Sequence, residues 1–153
     1  MKKFIVMIMM LLPISAFASL PEIEKLLNDY SATENVTVVN LSGEMLKMAI
    51  EQSGEGEIGE SLESLCVLNT EDAEHSKDIT KRVDKILKRA NLESVTDIEA
   101  EGAHVRILMS KESDMVSDLV VYVTEGSEVA LVVISGDIPE SMIGELTNSL
   151  KNL

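Results

Sequence analysis

Tryptophan is absent from this 153-residue chain, and two tyrosines and two phenylalanines are its only aromatics. The core must therefore be aliphatic, filled by Leu, Ile, Val and Met, and aromatic platforms on which bases or sugars stack are not available. Cys66 is the only cysteine, which excludes a disulfide within the chain. It sits in the apolar run Leu65 to Leu68, typical of a buried strand, where a thiol is inert. Two histidines cannot supply the usual three-nitrogen set of a catalytic zinc site. Positive charge is scarce as well, with 13 Lys and Arg against 27 Asp and Glu and a net charge of −14. That field repels a phosphate backbone and argues against nucleic acid and anionic lipid as partners.

Long apolar runs are also missing. Phe4 to Leu12 is far short of the roughly 20 residues that cross a bilayer. With Lys2 and Lys3 before it, Pro13 after it and Ala16 and Ala18 in A-x-A spacing, residues 1–18 read as a signal peptide cleaved after Ala18. The expected mature product is soluble, periplasmic or secreted, has no membrane span, and is one domain over residues 19–153. Its length of about 135 residues suits a single core.

Along that domain the pattern predicts an α+β fold. Helices are expected over about 21–31, with Ile23, Leu26, Leu27 and Tyr30 on one face; 42–52, capped by Ser42; 71–90; and 139–151, with Met142, Ile143, Leu146 and Leu150 as its stripe. Two early strands, about 35–41 and 63–69, precede four more between 93 and 137. Hairpin-length polar breaks join those four, so they form an antiparallel meander, which the early strands extend. The helices are expected mainly on one face of this sheet.

Four features invite a functional reading. In "NTEDAEHSKD", Asn69 to Asp78, four carboxylates and His75 suggest a metal site. A helix start explains them better: Asn69 or Thr70 serves as N-cap, and Glu71, Asp72 and Glu74 complement the helix dipole. No metal and no cofactor is expected. "GEGEIG", Gly54 to Gly59, matches a dinucleotide fingerprint only in letters, since it follows a helix and carries glutamates that repel phosphate. The third feature is a basic ridge of Lys77, Lys81, Arg82, Lys85, Lys88 and Arg89, opposite the apolar Ile79, Val83, Ile86 and Leu87 stripe; it suits an acidic partner or the protein's own acidic loop. The fourth is a half-polar sheet face on which His104, Arg106 and Tyr122 alternate with Val105, Ile107, Val121 and Val123. With helices on the apolar side, these three line an exposed surface.

The segments "IEKLLNDYSATENVTVVNLSGEMLKMA" and "LESVTDIEAEGAHVRILMSKESDMVSDLVVYVTEGSEVALVVISGDI", preceded by a signal peptide, resemble the exported bacterial family catalogued as domain of unknown function 4252. The last strand pair with its closing "SGDI" carries most of the likeness, and the acidic "EQSGEGEIGESLE" departs from it. The resemblance implies a single α+β domain in the Gram-negative envelope, with no established activity and no catalytic residues. No G-x-S-x-G, paired Cys/His motif or metal set appears. The expectation is an exported, non-catalytic interaction or regulatory module whose partner is another envelope protein. Its oligomeric state is not readable from the sequence. A hydrolase without a recognisable motif and a carrier for a small apolar ligand are the alternatives.

Overall fold

The computed structural model describes residues 20–53 and 62–144. The expected signal peptide over 1–18, the Gly54 to Gly59 segment and the part of the expected closing helix beyond residue 144 lie outside the described residues.

Helix α1, Pro21–Tyr30, starts on a proline whose fixed φ suits the first turn, and buries Ile23, Leu26, Leu27 and Tyr30. Strand β1, Val36–Ser42, runs directly into helix α2, Gly43–Ser53. The joint turns at Gly43, whose φ of 56° is left-handed and costs a glycine little. Ser42, the expected cap of this helix, is the last residue of β1 and immediately precedes Gly43. Strand β2, Leu62–Thr70, carries Cys66 and leads to helix α3, Ala73–Arg89. Four strands complete the chain: β3, Glu93–Ala100; β4, Ala103–Glu112; β5, Met115–Glu125; and β6, Glu128–Pro139. Residues 140–144 begin a further helix.

The six strands form one antiparallel sheet in the order β1-β2-β6-β5-β4-β3. Each hairpin of the meander has a two-residue loop. Glu101 and Gly102 both take positive φ, 54° and 85°, between the paired Ala100 and Ala103. That is the geometry whose twist matches the flanking strands.

Both sheet faces are apolar at their centres. On one face α1 and α3 pack Leu26, Leu27, Ile79 and Val83 onto Cys66, Leu68, Leu108, Val120, Leu131 and Val133. On the other, Ile107, Met109, Leu119 and Val121 join Ile138 and Ile143, the latter from the helical start at 140–144. The expectation that helices cover the Val105, Ile107 and Met109 side is corrected: α1 and α3 lie on the opposite face, the one that also bears His104, Arg106 and Tyr122. Alternation separates two faces, but where the second face is only partly polar it does not say which of them the helices choose.

Candidate functional site

Helix α3 is the element around which the candidate residues gather. Its N-cap is Asp72, whose carboxylate accepts from the backbone N–H of Glu74 at 3.0 Å and of His75 at 3.1 Å. Strand β2 extends through Thr70, so neither Asn69 nor Thr70 is the cap; Thr70 instead donates to the Asn35 carbonyl at 2.6 Å and accepts from Asp72 N–H at 3.1 Å. His75 sits edge-on to Tyr30, ring centroids 5.9 Å apart. The Tyr30 hydroxyl donates to Asp78, and burial together with that carboxylate pushes its pKa up to about 12. Among the described residues, no group of three or more His, Cys, Asp and Glu side chains is arranged to hold a metal ion.

The basic ridge divides. Arg82 pairs with Asp29 at 2.8 Å and lies 5.9 Å from the Tyr30 ring centroid, and Arg89 meets Glu22 at 3.5 Å, so both arginines tie α3 to α1. Lys85 is exposed. Lys77, Lys81 and Lys88 fall on the side of α3 that overhangs the meander, where two hollows open between helix and sheet. The first, about 560 Å³, is bounded by Thr80, Asp84 and Lys88 from the helix and by Ser94, His104, Arg106 and Tyr122 from the sheet. The second, about 650 Å³, is bounded by Ser76, Lys77 and Lys81 and by the Gly126–Ser127 turn. Thr80, Asp84 and Thr124 line both, so the hollows share a wall and follow one side of α3.

The sequence candidates from two separate segments thus meet in one place: Lys88 from the ridge, and His104, Arg106 and Tyr122 from the meander. Arg106 and Tyr122 are direct cross-strand partners. Arg106 Nη1 reaches Asp84 Oδ1 only at 3.7 Å, an ion pair without a hydrogen bond. His104 Nε2 and Asp97 Oδ1 are 2.5 Å apart. Tyr122 is 3% exposed, yet its hydroxyl is enclosed without a hydrogen-bond partner. Burial raises the phenol pKa; Thr80, which stands beside the hydroxyl without meeting hydrogen-bond geometry, opposes the rise, Asp84 adds to it and Arg106 also opposes it. An enclosed donor with no acceptor is costly in a folded protein, and such sites call for an explanation.

The sequence reading missed Thr80, Asp84, Ser94 and Thr124. Thr80, Asp84 and Lys88 recur at steps of four residues on α3, so their shared face was visible; that it would overhang β4 and β5 was not. A polar group at the other end of this sheet face is self-contained: Asp118, 4% exposed, accepts from Ser135 at 2.8 Å and from Ser117 at 3.3 Å. Cys66 is buried 3.5 Å from Asn40 Oδ1, and burial, helped by Glu24, pushes its pKa up to about 11, which keeps it a thiol.

One protein family, described as a domain of unknown function (DUF4252), matches residues 30–146. No curated protein and no solved structure is similar enough to match.

Proposed function

The chain belongs to the DUF4252 family of domains of unknown function, and from that premise we propose that it is an exported envelope protein, cleaved after Ala18, that works by contact through the groove between α3 and the meander and not by catalysis. The observation that carries this reading is the convergence of Lys88, His104, Arg106 and the unpartnered Tyr122 hydroxyl on one hollow. Polar groups gathered along a concave site, with one donor beside it left unsatisfied, are what a binding surface holds in readiness.

The hydrolase alternative fares less well because a serine nucleophile needs a base beside it. Ser135 is bonded to Asp118, whereas His75 packs on Tyr30 and His104 contacts Asp97. The apolar-carrier alternative calls for a dry cavity, and polar side chains bound both hollows.

The test is photo-cross-linking in the producing cell, with a photoreactive residue at Lys88 in the groove or at Lys25 on α1. A specific adduct from position 88 that Arg106→Gln abolishes, in protein recovered from the periplasmic fraction with Ser19 at its N-terminus, is the expected result. Equal adducts from both positions, or none that depends on Arg106, would sink the contact reading. An intact Met1 would sink the export.

A further inference from the structure

The groove has a charge preference, and we propose that it takes an acidic peptide segment, one of whose side-chain carboxylates replaces Asp84 on Arg106. This inference rests on the contact reading above and names the partner's chemistry.

Three observations carry it. The first is the imbalance of charge: Lys77, Lys81, Lys88 and Arg106 line the two hollows, whereas Asp84 is the one carboxylate that lines them among the described residues. In a chain of net charge −14 this is a local reversal of sign, so an acidic segment held there is attracted by the groove and repelled by the rest of the surface. The charge therefore selects position as well as ligand.

The second is the looseness of the Arg106–Asp84 pair. At 3.7 Å, with the Asp84 side chain 56% exposed, the guanidinium is neutralised but not hydrogen-bonded by it. A guanidinium has several N–H donors in a planar fork, and a free carboxylate at ordinary distance would satisfy two of them. Asp84, fixed to α3, holds the position that such a group would take.

The third is Tyr122. Its hydroxyl is enclosed and unpartnered, and the charges acting on it are those of Asp84 and Arg106, its cross-strand neighbour. A carboxylate that displaces Asp84 has a second oxygen to accept from this phenol once the side chains enclosing the hydroxyl shift, and the orphan donor is then satisfied. Thr80, Ser94 and Thr124 supply further hydroxyls along the walls. From Lys77 to Lys88 the helix rises about 16 Å, the span of about five extended residues, so the spread of basic groups suits a peptide segment better than a single small anion.

Titration calorimetry on the mature chain tests this with two capped peptides, hexaglutamate and hexaglutamine. Hexaglutamate should bind. Asp84→Asn should tighten it about threefold or more by removing the competitor, Arg106→Gln should weaken it at least about tenfold, and Tyr122→Phe should weaken it by a smaller factor. Asp84 is exposed, so its replacement does not threaten the fold and the tightening stays readable even if the other variants are unstable. Equal affinity for hexaglutamine would overturn the charge preference while leaving the contact module standing. Hexaglutamate binding that is unchanged or weakened in Asp84→Asn would overturn the exchange. Binding of neither peptide, together with failure of the groove cross-link, would remove both proposals.

Discussion

Tyr122→Phe removes one oxygen from the middle of the structure and should stabilise the protein. The ring is held between Arg106 on β4 and Leu131 on β6, its cross-strand partners, and phenylalanine keeps those contacts. What disappears is a hydroxyl that is enclosed and makes no hydrogen bond. An unsatisfied buried group of this kind costs about 1–3 kcal/mol, and its removal with no loss of shape recovers part of that. A gain of about 1 kcal/mol is expected. With a urea slope of about 2 kcal/mol/M, the unfolding midpoint should rise by about 0.5 M. The nearest alternative account is that Thr80 partners the phenol, and a double-mutant cycle separates the two. If no bond exists, Thr80→Val and Tyr122→Phe show no coupling; a bond would appear as a coupling of about 1 kcal/mol. Loss of about 1 kcal/mol in Tyr122→Phe, or such a coupling, would show that the hydroxyl is partnered after all. The same variant should bind an acidic peptide less well, so stability and binding move in opposite directions.

Asp72→Ala removes the carboxylate that accepts from Glu74 and His75, and should cost about 1 kcal/mol in urea unfolding, because two backbone donors at the start of α3 lose their acceptor. Leu131→Ala, at a site 1% exposed on β6, should cost about 2–5 kcal/mol on the same assay. Native Cys66 should resist Ellman's reagent until the chain unfolds. Its folded pKa, about 11, lies above the reference value of 9.0, so its contribution to stability is complete below pH 9. As pH rises toward 11 the unfolded thiol ionises first and that contribution is lost. Cys66→Ala should flatten the stability profile over this window, and an unchanged slope would show that the thiol is not desolvated.

The elements were legible where periodicity was strong. The α3 stripe of Ile79, Val83, Ile86 and Leu87 names its buried side from spacing alone, and the alternation of Val105, Ile107 and Met109 separates the two sheet faces. Helix α2 buries Leu46, 1% exposed, but leaves the adjacent Met45 66% exposed. Which sheet face receives α1 and α3 was not legible, because Leu108, Val120 and Leu131 make the His104 side apolar enough to bury as well. The site suffered from the same ambiguity. His104, Arg106 and Tyr122 were found as a set, but their meeting with Lys88 depends on α3 crossing above them. The division of the ridge depends on Asp29 and Glu22, some fifty or more residues earlier in the chain and placed opposite Arg82 and Arg89 only by the packing of α1.

Every binding prediction above depends on a partner being engaged in the groove beneath α3. Backbone amide shifts followed in a titration with the hexaglutamate peptide test it most directly, because every described element reports at once. Changes should concentrate at Thr80, Asp84, Ser94, Arg106, Tyr122 and Thr124, which bound the hollows. Changes centred on Val39, Val67 and Val132, which share the opposite sheet face, would contradict it.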